Sequence, residues 1–243
     1  MNILVTGSSG FLGTNLLNYL KSKSDISVLT YNKENNLNEL ENLCLNSDVV
    51  FHFAAVLRPE NTQDYYDINV RLTSIIIEIL EKKTTPTKFV FSSSIQVNLN
   101  NEYGKSKLLE EKIIMSSSKK ITYIICRFPN LFGKYAVPNT TNVISTFCYN
   151  TSHNLPVTIN DGNKYLNIAF VDDILIDIIG KLECESLASS IIDFNNSYMV
   201  KLIDLLYTII GFADDQKKIG ILNEKLENSL YETYLYYKKS GKY

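Results

Sequence analysis

The order of segments in this 243-residue chain predicts an α/β fold, a doubly wound parallel sheet with a smaller C-terminal lobe. Three observations predict it. Strand-like and helix-like patterns alternate through the first half of the chain, the mark of a parallel sheet covered by helices. The strand candidates are apolar without clean alternation, which implies burial on both faces. A glycine-rich turn joins the first strand to the first helix.

The strand candidates are 2–6, 26–30, 49–53, 88–91 and 122–126, and the helical patterns between them are 11–21, 37–45, 63–81 and 103–117. After about residue 130 the segments shorten and the loops carry Asn and Pro. Helical patterns recur at 174–182 and 201–210, a helix begins at Asn142 and Val143, and 191–194 reads as a late strand.

With 45% hydrophobic and 21% charged residues the chain can bury a full core. The net charge is −2 with Lys and Arg dispersed, so no nucleic-acid partner is expected. Cys44, Cys126, Cys148 and Cys184 lie far apart without pairing or metal-site spacing, and there are two histidines. No metal site is expected. The chain opens on the strand-like Ile3-Leu4-Val5 and carries no signal-peptide or membrane-spanning pattern, which predicts a cytoplasmic protein with no membrane partner.

The first chemical motif is Val5-Thr6-Gly7-Ser8-Ser9-Gly10-Phe11-Leu12-Gly13. Gly7 permits a tight turn, Gly10 lets the backbone approach a pyrophosphate, and Gly13 lets helix and strand pack closely. The helix start at Phe11 and Leu12 offers free N–H groups and a positive dipole end to an anion. Glycine triplets also arise from loop sterics; the strand-to-helix placement selects the Rossmann dinucleotide reading. Residues 1–135 are accordingly read as a dinucleotide-binding core. Residues 136–243 are read as a smaller substrate-binding lobe, interleaved with the core in one compact unit.

The second strand candidate runs into Thr30-Tyr31-Asn32-Lys33 with no carboxylate before Glu34. An acidic residue there would bind both ribose hydroxyls of NAD, whereas a 2′-phosphate wants a cation. Asn32 and Lys33 therefore favour NADPH. Lys33 is either the phosphate partner or a solvated loop lysine.

Tyr103-Gly104-Lys105-Ser106-Lys107 places a phenol and an ammonium four residues apart at a helix start, on one face. The ammonium stabilises phenolate and is expected to lower the Tyr103 pKa towards the working range, making it a proton donor to a carbonyl that receives hydride. Such spacing is also an ordinary surface pair. Upstream, Phe91-Ser92-Ser93-Ser94-Ile95-Gln96 is poor strand material, and a polar strand end facing a cleft explains it better than a plain serine turn. His52 and His153 show no partner pattern.

Taken together, the Thr-Gly-x-x-Gly-x-x-Gly start, His52-Phe53-Ala54-Ala55, Asn69-Val70, the serine cluster, Tyr-x-x-x-Lys, Arg127-Phe128-Pro129-Asn130-Leu131-Phe132-Gly133 and Phe170-Val171-Asp172-Asp173 resemble an extended short-chain dehydrogenase/reductase of the NAD-dependent epimerase/dehydratase type. The resemblance spans essentially the whole chain. It implies that Ser94 is the catalytic hydroxyl beside Tyr103 and Lys107, and that Phe53, Ala54, Ala55, Phe128 and Pro129 contact the cofactor. It further implies a sugar nucleotide near Asn130, Ser94, Ile95 and Gln96, with its UDP group near Asn142 and Val143. Family members often dimerise through a helix bundle, which would make 63–81 and 103–117 interface helices of a homodimer.

A narrower resemblance is to the reductase domains of bifunctional capsular-polysaccharide enzymes. It rests on Asn2-Ile3, Arg58-Pro59-Glu60, the serine cluster, the short gap to Tyr103, Pro129 to Lys134, Pro138-Asn139, Asn142-Val143-Ile144, Thr146-Phe147-Cys148-Tyr149 and Leu230-Tyr231-Glu232-Thr233-Tyr234-Leu235. It implies NADPH-dependent reduction of a 4-keto UDP-6-deoxy amino sugar, of the UDP-N-acetyl-L-fucosamine route. In those enzymes a metal-binding cupin domain that epimerises C3 follows. The present sequence stops soon after Leu235, so neither that metal nor that epimerisation is expected, and the cupin is either a separate protein or deleted.

Other readings can be weighed on residues. A 4,6-dehydratase needs an acid and a base beside the catalytic hydroxyl, where this sequence has Ile95 and Gln96. A 4-epimerase would use the same Ser, Tyr and Lys with tightly held NAD, against which stand Lys33 and the missing acid. A non-catalytic cofactor sensor would typically have lost Tyr103 or Lys107. Arg58 is either a clamp on substrate oxygens or a structural loop residue. Asp172 and Asp173 read as caps of the following helix.

Overall fold

The computed structural model describes residues 1–184, 186–214 and 219–241. The last two residues of the lobe read from the sequence, 242 and 243, lie outside them. The chain divides into two compact units, Met1–Phe128 with Ile178–Phe194, and Pro129–Asp177 with Asn195–Tyr243. The division thus falls at 128/129 rather than 135, and the segment 178–194 belongs with the first unit.

The first unit contains β1 (Asn2–Thr6), α1 (Phe11–Leu20), β2 (Ser27–Tyr31), α2 (Leu37–Leu45), β3 (Val49–His52), a wide helical turn at Tyr65–Val70 that continues into α3 (Arg71–Glu81), β4 (Thr87–Ser94), α4 (Glu102–Met115) and β5 (Ile121–Phe128). Its sixth strand is β8 (Ser190–Asp193). The sheet order is β2-β1-β3-β4-β5-β8 with every pairing parallel. Leu4, Val5, Val50, Phe51, Phe89, Val90 and Phe91 are fully buried, the burial on both faces that the apolar strand runs predicted.

This strand order positions a site. Strand β1 lies between β2 and β3, and Thr6 pairs with Tyr31 on one side and His52 on the other. The chain leaves β1 to build one half of the sheet and returns across it to build the other. Such a reversal opens a crevice at the carboxyl ends of the strands, where ligands bind in this class of sheet.

Two elements differ from the sequence reading in instructive ways. Strand β4 does not end at residue 91 but runs through the serines, with Ser92, Ser93 and Ser94 paired to Cys126, Arg127 and Phe128. The serines tolerate a buried strand because each side chain is hydrogen-bonded. The helical pattern over 63–81 begins as a wide turn. There the buried Asn69 side chain accepts from Val56 N at 2.8 Å and donates to Val56 O at 3.0 Å, tying the turn to the loop after β3.

The second unit contains β6 (Asn130–Phe132), α5 (Val143–Ser152), β7 (Tyr165–Phe170), β9 (Tyr198–Lys201), α7 (Leu202–Gly211) and α8 (Glu224–Lys239). Helix α6 (Val171–Leu182) starts in it. Its three-stranded sheet has the order β6-β7-β9, parallel then antiparallel. Leu226, Leu230, Tyr234 and Tyr237 form one stripe of α8, buried with Phe147, Tyr149, Leu205 and Phe212. The sequence reading did not include β6, β7, β9 or α8. Among the described residues no helix is long and apolar enough to cross a membrane.

Candidate active site

The crevice at the end of β1 is built by backbone approach. Gly7 has φ +67°, and a Cβ on it would lie 2.7 Å from the N and Cα of Ala54. The turn after β1 and the chain leaving β3 therefore touch through main-chain atoms only. A Cβ on Gly13 would lie 2.3 Å from the carbonyl oxygen of Gly7, so the first turn of α1 packs directly on the glycine loop. Gly10, in extended conformation, precedes α1 and supplies no side-chain cap. The N–H groups of Phe11, Leu12 and Gly13 have no acceptor within the helix.

Asn32 follows β2 and fastens this loop. Its Oδ1 accepts from Ser9 N at 3.1 Å, and its Nδ2 donates to Ser8 Oγ at 2.8 Å. Lys33, next to it, is exposed, and no described residue pairs with it. Phe53 is buried, while Ala54 and Ala55 are partly open at the end of β3. Arg58 is exposed without an ion-pair partner among the described residues.

The second half of the crevice is set by β4 and α4. Ser94 Oγ accepts from Gln96 N at 3.2 Å, capping a short turn at Ile95–Asn98 and leaving its hydrogen free to donate elsewhere. Asn101 caps α4 by accepting from Gly104 N at 2.7 Å. A Cβ on Gly104 would lie 2.1 Å from Gln96 O, so glycine lets the first turn of α4 lie against the turn that follows Ser94. That contact brings Ser94, Ile95 and Gln96 to the helix carrying Tyr103 and Lys107.

Tyr103 packs its ring against Tyr65, centroids 5.6 Å apart. Lys107, four residues on, is 1% exposed, with its ammonium 4.6 Å above the Phe91 ring and 3.2 Å from Oε1 of Glu110. The Lys107–Glu110 approach lies outside hydrogen-bonding geometry, so the ammonium donors have no hydrogen-bond partner among the described residues. The net effect on Tyr103 is opposite to the expected one. Burial pushes its phenol pKa up and outweighs the lowering by Lys107, with Glu110 and Tyr65 adding to the rise.

Other site neighbours were given no role in the sequence reading or were not read at all. His52 is fully buried, with Nδ1 2.7 Å from Thr6 Oγ1 and Nε2 2.9 Å from Thr73 Oγ1. Burial, aided by the nearby Lys107 charge, drives its pKa down to about 3, so the ring is neutral. Glu111 accepts from Arg127 Nε at 2.9 Å and Nη2 at 2.6 Å, and from Ser93 Oγ at 2.5 Å, which fixes α4 to β4 and β5. Thr73, Glu110 and Glu111 sit in helical patterns that look like ordinary solvated faces, and no sequence signal separates them.

In the first unit Phe128 is buried and stacks on Phe194. In the second unit Pro129 is buried, and Asn130, exposed on β6, donates to Asn167 O at 2.8 Å. Asn142 accepts from Ser145 N at 2.7 Å and donates to Leu131 O at 3.1 Å, so its amide caps α5 and anchors β6. Val143 opens α5 and is partly buried. Asp172 and Asp173 lie inside the first turn of α6, which starts at Val171, rather than at its cap, and Asp173 pairs with Lys225 at 2.8 Å.

The residues of the first unit fit a nicotinamide dinucleotide on two observations. Gly7 and Gly13 let the loop close tightly on the main chain of Ala54 and Ser8 with the free N–H groups at the start of α1 beside it, and the buried Lys107 ammonium has no hydrogen-bond partner among the described residues.

Comparison with known proteins agrees with this geometry. The family model described as "NAD dependent epimerase/dehydratase family" matches residues 3–178. The UDP-2-acetamido-2,6-beta-L-arabino-hexul-4-ose reductase of Pseudomonas aeruginosa is 28% identical over 239 residues, 97% of this chain and 64% of that protein. The capsular polysaccharide assembling protein CapF from Staphylococcus aureus superposes with a TM-score of 0.84 at 33% identity, covering 98% of this chain and 66% of that one. The sequence therefore spans about two thirds of the length of either relative. The UDP-glucuronic acid 4-epimerase of Bacillus cereus, solved with UDP-glucuronic acid and NAD, shares the fold at a TM-score of 0.81 and 18% identity over 98% of this chain and 99% of its own. The glycine cradle at the sheet reversal, the Tyr103–Lys107 helix and the match over residues 3–178 together show that this chain belongs to the NAD-dependent epimerase/dehydratase family.

Proposed function

We propose that the chain is an NADPH-dependent reductase of a 4-keto nucleotide sugar, of the UDP-6-deoxy amino sugar type used in capsular or surface polysaccharide precursors. The observation that carries this reading is the pairing of a buried Lys107 ammonium with a Tyr103 whose phenol is held protonated by burial. A reductase needs an acid that keeps its proton until hydride arrives, and Tyr103 meets that need. The substrate class is supported by the likeness to the Pseudomonas reductase and the Staphylococcus capsule protein.

When bound, the nicotinamide supplies hydride to the keto carbon. The glycine cradle and the free N–H groups at the start of α1 hold the pyrophosphate, and Lys33 takes the 2′-phosphate. Lys107 donates to the ribose with the donors that no described residue uses. Tyr103 gives its proton to the carbonyl oxygen, and Ser94 donates its hydroxyl hydrogen to the same oxygen, since its lone pair already accepts Gln96 N. Ile95 and Gln96 offer no acid or base for elimination, which sets dehydration aside. An exposed, unpaired Lys33 beside the loop-fastening Asn32 favours reduction with exchangeable NADPH over epimerisation on retained NAD.

Replacing Tyr103 by Phe removes the donor while keeping the ring against Tyr65. Turnover of the keto sugar should fall by roughly 10²-fold or more, with NADPH affinity unchanged. Turnover at the wild-type rate would reject Tyr103 as the acid.

A further inference from the structure

We propose that Glu110 is the positioning residue that keeps Lys107 charged and in place, and that Thr73, His52 and Thr6 hold its carboxylate through a hydrogen-bond chain of fixed direction. The inference rests on Tyr103 and Lys107 being the working pair and extends it to Glu110 and Thr73, which no motif of the sequence includes, and to Thr6 and His52, to which the motifs give no role.

Lys107 and Glu110 are 1% and 0% exposed, with nitrogen and oxygen 3.2 Å apart. At the surface a pair three residues apart on a helix is worth only a few tenths of a kcal/mol. Buried, each charge depends on the other, because an isolated ammonium in an apolar interior loses its proton instead of staying charged. The elements around Lys107 offer no substitute. Strand β4 contributes the face of Phe91, and α4 contributes the neutral phenol of Tyr103, which is backed by Tyr65 from the wide turn. Strand β3 contributes His52, which is neutral. Glu111 is committed to Arg127 and Ser93. Among the described residues Glu110 is the carboxylate within ion-pair distance of Lys107.

The direction of the chain follows from which groups can donate. The Glu110 carboxylate only accepts, so Thr73 Oγ1 donates to Oε2 at 2.7 Å. Thr73 then accepts from His52 Nε2 at 2.9 Å, which places the single proton of the neutral ring on Nε2. Nδ1 is left as acceptor and takes the Thr6 hydroxyl at 2.7 Å. Thr6 Oγ1 in turn accepts from Ala54 N at 3.2 Å. One proton arrangement therefore runs from the Ala54 amide, at the cofactor loop against Gly7, to the carboxylate beside Lys107. The chain couples the position of the lysine to that of the loop.

Glu110→Gln keeps an oxygen for Thr73 and removes the charge. In the full chain, labelled with ¹³Cε-lysine and free of cofactor, the Lys107 resonance is identified by its absence from Lys107→Met. We expect it to titrate lower in Glu110→Gln than in the wild type, because the carboxylate that faces the ammonium at 3.2 Å is gone. The alkaline limb of kcat against pH for NADPH-dependent reduction should move acidward by a similar amount, and Glu110→Asp should restore it. Thr73→Val, which frees the carboxylate while keeping its charge, should move both readouts the same way by less, and it decides the matter if Glu110→Gln does not fold. A Lys107 resonance that titrates as in the wild type in these variants, or a kcat reduced by one factor at every pH, would overturn the proposal. Failure of the reductase reading itself would show elsewhere, as turnover retained by Tyr103→Phe, and would leave the lysine titration interpretable.

Discussion

Two glycines of the cradle should respond to the same methyl group in opposite ways. At Gly7 an alanine must adopt φ near +67°, which costs about 1–2 kcal/mol. Its Cβ would also lie 2.7 Å from main-chain atoms of Ala54, which cannot swing aside as a side chain can. Over-packing of that kind adds about 1–3 kcal/mol, for a total of about 2–5 kcal/mol. At Gly10 the backbone is at φ −79°, ψ 176°, open to any residue, and the nearest atom to an added Cβ is Gly7 O at 3.2 Å. The folding cost there is the loss of a favourable N-cap glycine, about 0.5–1 kcal/mol. Gly10 precedes the free N–H groups of α1 that are proposed to hold the pyrophosphate, so a methyl there is expected to obstruct its approach. Urea unfolding should show a midpoint lowered by about 1–2 M for Gly7→Ala and by well under 1 M for Gly10→Ala. NADPH titration should show affinity weakened at least about tenfold, or 1.4 kcal/mol, for the stably folded Gly10→Ala. Wild-type affinity in that variant would contradict the placement of the cofactor, and a wild-type midpoint for Gly7→Ala would contradict the backbone contact.

Other consequences can be checked separately. Lys33→Ala should erase the preference for NADPH over NADH without changing the NADH constants; an unchanged preference would remove Lys33 from the 2′-phosphate site. His52 is depressed to about 3 in the folded chain, so between about pH 6.5 and 3 the unfolded state takes up a proton that the folded state refuses. Stability should fall as pH falls through that window, by up to about 1.4 kcal/mol per pH unit, and His52→Gln should flatten the slope between pH 6.5 and 5. Equal slopes in the two proteins would show that His52 is not the titrating group. In the second unit the Glu227 carboxylate accepts from the N–H groups of Ile219, Gly220, Ile221 and Leu222 at 2.9–3.1 Å. Burial raises its pKa, but these four bonds outweigh it and hold the carboxyl below the usual range, so the support is present above the ordinary carboxylate pKa and fades as pH falls through the lowered value. Glu227→Gln should cost about 2–4 kcal/mol at pH 7, and unaltered thermal unfolding would refute the clamp.

The sheet of the first unit was legible because its strands are apolar runs of ordinary length and its turns carry glycines whose spacing has a steric reason. Gly7 takes the positive φ of a tight turn, and Gly13 packs α1 on the glycine loop itself. The serine run was misjudged because strand propensity counts a serine as exposed, whereas Ser92, Ser93 and Ser94 each find a buried partner. Helix α8 was missed for a related reason. Its buried stripe ends in Tyr234 and Tyr237, whose polar tips blur the apolar pattern, although Leu226, Leu230, Tyr234 and Tyr237 repeat at helical spacing. The Tyr103–Lys107 pair could be found from sequence, but its electrostatics could not. The sign of the Tyr103 shift depends on burial and on Glu110, and the Thr6–His52–Thr73–Glu110 chain joins four elements that sequence spacing does not relate.

The central claim is that Tyr103 protonates a sugar ketone as NADPH delivers hydride. Its most direct measurement is NADPH oxidation by the purified protein mixed with UDP-4-keto-6-deoxy amino sugars, followed alongside the products. One NADPH should be consumed per 4-hydroxyl formed, in the wild type and not in Tyr103→Phe. Interconversion of 4-epimers with no net consumption of NADPH, or no reaction with any such ketone, would contradict it.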